Sequence, residues 1–321
     1  MLKYMLLCNT PFSAERDASL AALIRDNGYE PIIFRDGCAM PEFPWDECVA
    51  ALGLVPNEFL PRLPRLKWLQ MAWAGVDSLR TAEFPNPDVV ITNASGGFGP
   101  TIAEYMLGAA LLIMHNFHTY INVKPLKEYK RIGFSTTFYG GTVVMIGLGD
   151  IGGRFAKYAK ALGATVYGVR RTVTAPPEGV DEIIPYDKLL GILPNADVVA
   201  MCLPATRETE GLFSAAHIQA MKPGSVFINA GRGSTVDEAA LIHALEAQNI
   251  AGAVIDVTQV EPLPKDSPLW TLDNVVITPH VAGRSDDPTN ARLIYEIFED
   301  NIVRFCRGEP LRHVVDLARG Y

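Results

Sequence analysis

"TVVMIGLGDIGGRFAKYAKALG", Thr142 to Gly163, reads as a strand, a turn and a helix in that order. The opening TVVMI is continuously apolar, as expected of a strand covered on both faces of a parallel sheet. Gly147, Gly149 and Gly152 then fill the three glycine positions of G-x-G-x-x-G. The first permits a tight turn, the second lets backbone approach a pyrophosphate, and the third lets helix and strand pack closely. The helix that follows offers N–H groups and the positive end of its dipole to phosphate. With Leu148, Asp150 and Ile151 between and beside them, the glycines form a candidate cofactor-binding turn. A lone G-x-G-x-x-G is weak evidence. Set between an apolar strand and a periodic helix, it specifies a dinucleotide.

The next strand, "ATVYGV", ends where such units usually carry an acid for the adenosine ribose, about 20 residues past the turn. Here the chain has Arg170, Arg171 and Thr172 instead. Guanidinium forks suit phosphate oxygens, so these three are candidates for the 2′-phosphate of NADP, with NAD as the weaker alternative. The competing reading is a pair of exposed loop arginines.

Working outward, "ADVVAMCLP", "SVFINAG", "AGAVIDV" and "NVVITPH" continue the series of apolar strands, with helices such as "DEAALIHALEAQN" between them. The pattern is that of a doubly wound parallel sheet. Upstream, "YMLLCN", "PIIFRDG", "LKWLQMAWAG" and "DVVITNASG" read as a second α/β series without a dinucleotide fingerprint, and "AERDASLAALIRDNG" as a helix ended by Gly28. The glycine-rich "ASGGFGPT" is a plausible hinge. The apolar stretch from Ile102 to Ile121 predicts one long, mostly buried helix. Its Glu104, His115, Asn116 and His118 make it a poor membrane span. Near the end, "DPTNARLIYEIFEDNIVRFCRGEP" is amphipathic, with Ile294, Ile297, Phe298, Ile302 and Phe305 near one stripe.

The 321 residues are ample for two cores, and a net charge of −8 argues against a nucleic-acid binder. The five cysteines form no C-x-x-C pair, so free thiols are expected and no metal site. The N-terminal run lacks the features of a signal peptide, and a cytoplasmic protein is expected.

Three later segments end strands with polar chemistry: "NAGRGSTVDEAAL" with Arg232, "DVTQVEPLPKDSPLW" with Glu261, and "ITPHVAG" with His280. In open α/β sheets ligands bind at the carboxyl ends of strands, where such residues can converge. Together with "AGVD" and "GLGDIG", in this order, they resemble the D-isomer-specific 2-hydroxyacid dehydrogenases over nearly the whole chain. The resemblance implies His280 as general acid/base, Glu261 as its partner and Arg232 as the grip on a substrate carboxylate. It implies that Ala74, Gly75 and Val76 hold that carboxylate through backbone N–H groups, with Trp73 as a pocket wall or a core residue. Further cofactor contacts implied are Thr101, Leu203, Pro204, Ala230, Gly231 and Asp256, with His280 beside the nicotinamide. For Asp256 the other reading is a buried capping aspartate.

The expected architecture is α/β. A Rossmann-type coenzyme domain, 99–287, is inserted into a flavodoxin-like substrate domain, 1–98 with 288–321. The active site is expected in the cleft between them. The resemblance also implies a homodimer through the segment from Ile102 to Tyr139. The implied reaction is NADPH-dependent reduction of a small 2-keto acid of the glyoxylate/hydroxypyruvate type to its D-2-hydroxy acid. The alternatives are a reductase for bulkier branched or aromatic 2-keto acids, with Trp73 and Trp270 shaping the pocket, and a non-catalytic, corepressor-like NAD(P) sensor.

Overall fold

The chain opens with a strand, a helix and then four strands joined by loops and short 3-10 turns: β1 (Tyr4–Cys8), α1 (Ala14–Asp26), β2 (Glu30–Phe34), β3 (Cys48–Gly53), β4 (Trp68–Met71) and β5 (Val90–Thr92). They form one parallel sheet in the order β2-β1-β3-β4-β5, the flavodoxin-like order. Helix α1 starts where Ser13 Oγ accepts the Arg16 N–H at 3.3 Å, and it ends ahead of Gly28, whose φ is +84°. The computed structural model describes every residue except Met1, Met40, Phe134, Thr174, Ala318 and Tyr321. The chain divides into two units, residues 1–98 with 284–321 and residues 99–283.

The second unit runs α2 (Gly99–Met114), α3 (Phe117–Val123), β6 (Thr142–Ile146), α4 (Asp150–Ala161), β7 (Thr165–Arg170), β8 (Glu182–Pro185), α5 (Leu189–Ile192), β9 (Val198–Met201), α6 (Ala215–Gln219), β10 (Val226–Asn229), α7 (Glu238–Glu246), β11 (Gly252–Ile255) and β12 (Val275–Ile277). Its seven parallel strands lie in the order β12-β11-β10-β9-β6-β7-β8. Read from β8, they stand third, second, first and then fourth to seventh, the Rossmann winding with one added strand. The order reverses between β6 and β9, and that reversal places the site.

Alternation explains the continuous apolar runs. Successive strand side chains point to opposite faces. Val143 and Met145 pack with Phe155, Ala156, Ala103 and Met106 on the α2/α4 face. Val144 and Ile146 pack with Phe213, Leu241 and Leu245 on the other. Phe155 is fully buried, and burial of such a side chain contributes about 1.5–3 kcal/mol.

The chain returns to the first unit with α8 (Pro288–Arg307). Asp287 Oδ1 caps it by accepting the Thr289 and Asn290 N–H groups at 2.8 and 3.3 Å. Ile294, Phe298 and Ile302 are buried, as the amphipathic stripe predicts. The segment after α8 packs on the sheet edge, with the Val315 N–H donating to Ile91 O at 2.8 Å.

One expectation needs correction, and two strands add to the expected set. The apolar stretch from Ile102 is two helices, not one. Asn116 sits at φ 58°, a left-handed conformation that Asn tolerates, and it turns the chain so that no residue of α3 is buried. Strands β3 and β8 were not anticipated. CVAALG is apolar at all six positions and buried throughout, so it carries no period to distinguish strand from helix. EIIP is a four-residue edge strand.

Candidate functional site

The glycine turn lies between β6 and α4 at the point where strand order reverses. Gly147 has φ +95°, and a Cβ there would lie 2.5 Å from Cys202 O. A Cβ on Gly152 would lie 2.0 Å from Gly147 O. Both positions are closed to any side chain. A Cβ on Gly149, in contrast, would meet no protein atom within 4 Å. The turn is tight beneath and open above, with the α4 N-terminus facing that space. This cradle fits a pyrophosphate. Asp150 Oδ1 is engaged by Arg154 Nε at 2.8 Å, and Leu148 is buried.

At the end of β7, Arg170 Nη2 donates to Leu148 O at 2.8 Å. That bond sets its guanidinium beside the glycine turn. Arg171 Nη1 pairs with Glu208 at 2.5 Å, both side chains exposed, and Thr172 is exposed. Across the reversal, β9 leads into Leu203 and Pro204. Thr209 Oγ1 donates to Pro204 O at 2.6 Å and orders that loop. Cys202 packs under the turn, where burial pushes its thiol up to about 12. It is a neutral packing group there.

β10 delivers Ala230, Gly231 and Arg232. The Arg232 carbonyl accepts from Asn229 Nδ2 at 3.1 Å and Thr235 Oγ1 at 2.6 Å. The Gly231 N–H donates to Asn229 Oδ1 at 3.0 Å, and Arg232 Nη1 to Gly231 O at 2.8 Å. Asn229 and Thr235 therefore shape the arginine loop. Neither was singled out from sequence, although both lie within the quoted "NAGRGST".

His280 follows β12. Its Nδ1 lies 2.9 Å from Glu261 Oε2, and Glu261 Oε1 accepts the Thr258 N–H at 3.1 Å. The His280 ring is half exposed. A pair this exposed adds at most about 1 kcal/mol to stability, so its consequence is orientation of the ring. Asp256, 3% exposed, sits behind the turn. Its Oδ1 accepts from Thr278 Oγ1 at 2.6 Å and from the Val281 N–H at 2.9 Å. The Ala282 N–H reaches Oδ1 at 3.2 Å and Oδ2 at 3.1 Å. In the structure its carboxylate thus caps the His280 turn.

In the first unit, the Trp73–Val76 loop follows β4. Trp73 is 38% exposed and stacks on Phe98 with centroids 6.0 Å apart. Trp73 O accepts the Ala94 N–H at 3.0 Å and Ala74 O accepts Asn93 Nδ2 at 2.7 Å. Val76 is buried, while Ala74 and Gly75 are half-buried. Trp270 is mostly exposed, its indole N–H donating to Pro264 O at 2.8 Å. Among the described residues, no cluster of three acidic, histidine or cysteine side chains is placed to hold a metal. No helix among them is long and apolar enough to cross a membrane.

A family model for the NAD binding domain of D-isomer specific 2-hydroxyacid dehydrogenases matches residues 107–282. The chain is 35% identical over 271 residues to D-3-phosphoglycerate dehydrogenase of Archaeoglobus fulgidus, matching 82% of this chain and 50% of that protein. It thus spans about half the length of that relative. The structure of a D-isomer specific 2-hydroxyacid dehydrogenase from Xanthobacter autotrophicus Py2, in complex with NADPH and MES, superposes with a TM-score of 0.85. It is 33% identical, with 99% of each chain covered. An NADPH-dependent glyoxylate/hydroxypyruvate reductase from Sinorhizobium meliloti, in complex with NADP and sulfate, gives 0.85 at 29% identity. There 99% of this chain and all of that one are covered.

Proposed function

The chain belongs to the D-isomer-specific 2-hydroxyacid dehydrogenase family, and from that membership we propose that it reduces a small 2-keto acid to the D-2-hydroxy acid using NADPH. The observation that carries the proposal is the 2.9 Å His280–Glu261 pair, set at the same carboxyl edge of the parallel sheet as the glycine turn. Glyoxylate and hydroxypyruvate are the first substrates to try, since a structural neighbour is a reductase of that type.

The glycine turn and the α4 N-terminus would hold the pyrophosphate, Arg170 with Arg171 and Thr172 the 2′-phosphate, and Leu203 and Pro204 the adenine ribose. Thr101, Ala230 and Gly231 would hold the nicotinamide end. NADPH, when bound, supplies the hydride that adds to the keto carbon. Glu261 accepts the Nδ1–H of His280, which leaves Nε2 to carry the second proton. Protonated His280 donates that proton to the keto oxygen as charge builds there, and its ring is then neutral. The half-exposed ring recovers a proton from water. Arg232 offers a planar fork to the substrate carboxylate.

The test is purified full-length protein with a panel of 2-keto acids, each assayed with NADPH and NADH. Turnover of small acids with NADPH is expected. Tight NADPH binding without consumption across the panel overturns the enzyme reading in favour of a sensor. Coenzyme choice has its own test in Arg170→Asp. Hydrogen bonds to charged groups are worth about 1.5–3 kcal/mol, so the NADPH/NADH ratio of kcat/KM should fall by at least about tenfold. An unchanged ratio removes Arg170 from coenzyme selection. The exposed pairing of Arg171 with Glu208 makes Arg171 the lesser contributor.

A homodimer is part of the same proposal. Phe117, Ile121, Leu126 and Tyr129 stand exposed on α3 and just after it, an apolar patch suited to a second copy. Light scattering should give twice the chain mass for the wild type and a monomer for Ile121→Glu. A wild-type monomer defeats this part.

A further inference from the structure

His280 holds φ 53°. For a non-glycine residue this conformation costs of order 1–3 kcal/mol unless its surroundings impose it. The surroundings here are specific. The His280 N–H donates to Asp256 O at 2.8 Å and Thr278 O at 3.0 Å. The next two amides donate to the Asp256 carboxylate, as does the Thr278 hydroxyl at 2.6 Å. A carboxylate only accepts, and a hydroxyl has one proton, so that proton of Thr278 is committed to Asp256. Tyr105 Oη lies 2.6 Å from Thr278 Oγ1 and must be the donor there. Burial pushes the Tyr105 phenol up to about 12, so it stays protonated at any working pH. A directed chain therefore runs from α2 to the turn: Tyr105 to Thr278, Thr278 to Asp256, and the Val281 and Ala282 amides to Asp256.

We infer that Tyr105 and Thr278 are positioning residues for His280, acting through Asp256 to hold the left-handed turn that aims the imidazole. Neither touches the reacting atoms on this assignment. The inference rests on the reading of His280 as proton donor. It separates the turn's two supports. Glu261 orients the ring from the side, and the Tyr105 chain fixes the backbone beneath it. Residue 278 must accept and donate at once, which Ser or Thr can do and Val cannot.

The test compares Tyr105→Phe, Thr278→Val and Thr278→Ser with the wild type in the full chain. Small misplacements of a catalytic group cost up to about a hundredfold. Tyr105→Phe and Thr278→Val should lower kcat by about tenfold or more. KM for the keto acid and NADPH affinity, read by nucleotide fluorescence, should stay within about twofold, because neither Tyr105 nor Thr278 is assigned a contact with either ligand. Thr278→Ser should restore kcat to within about threefold of the wild type. In protein without substrate, the His280 Nδ1–H proton resonance, identified by its loss in His280→Gln, should shift or broaden in Tyr105→Phe. Wild-type kcat in Tyr105→Phe, or a Thr278→Ser as impaired as Thr278→Val, overturns the inference. Tyr105→Phe and Thr278→Ser keep the volume nearly constant, so the test stands even if Thr278→Val does not fold. A wild type inactive on the whole panel instead overturns the reading of function, and the resonance shift still decides whether the chain positions His280.

Discussion

His280→Gln should lower kcat by about 10²–10⁴, the usual worth of general acid help in the transition state. Glutamine reaches a similar distance and can hydrogen-bond to Glu261, but it has no proton to transfer near neutral pH. KM and NADPH affinity should change little, because in the proposal the substrate carboxylate is held by Arg232 and the coenzyme by the glycine turn. Glu261→Gln should cost less than removal of His280, since the imidazole remains and loses only a carboxylate acceptor at 2.9 Å. Steady-state kinetics with hydroxypyruvate checks both. A His280→Gln effect below about threefold removes His280 from the mechanism. A Glu261→Gln loss larger than that of His280→Gln reverses their roles.

How far sequence reached depends on whether a feature is local. The glycine turn was legible because its constraint lies in a few consecutive residues. Gly147 and Gly152 leave no space for a Cβ, and sequence states that directly. The strands β6, β9, β10 and β11 were legible because burial on both faces demands unbroken apolar runs, and β7 and β12 carry similar runs although they are only partly buried. β3 shares that burial yet escaped notice, because a short, uniformly apolar run has no period to separate strand from helix. The break at Asn116 was hidden because αL is open to Asn but not required by it. The pairing of His280 with Glu261 spans 19 residues and rested on resemblance. The Tyr105–Thr278 contact spans 173, and nothing in either local stretch announces it. Asp256 shows the same limit. Its position at a strand end was plain, but its commitment to two amides and a hydroxyl follows only once β11 and β12 lie side by side.

Arg232→Ala should lower kcat/KM by about 10²–10³, because hydrogen bonds to charged groups are worth about 1.5–3 kcal/mol each and a bidentate fork makes two. The local geometry makes the variant interpretable. The Arg232 backbone is held by Asn229 and Thr235 through its carbonyl, and Gly231 by Asn229 through its amide. The guanidinium adds one bond to the loop, Arg232 Nη1 to Gly231 O at 2.8 Å, which truncation removes. Asn229 and Thr235 still hold the loop backbone, so most of the loss should belong to the guanidinium's grip on the substrate. Arg232→Lys keeps the charge but loses the planar fork, so a bidentate grip on carboxylate is no longer possible. It should recover only a small part of the loss, mostly in KM. NADPH affinity, measured by fluorescence without keto acid, should stay within about twofold in both variants. If it falls in step with kcat/KM, Arg232 supports the coenzyme or the fold. If lysine restores full activity, a point charge suffices and the fork has no role. Only full loss in alanine, partial recovery in lysine and intact NADPH binding together place the carboxylate on the Arg232 fork.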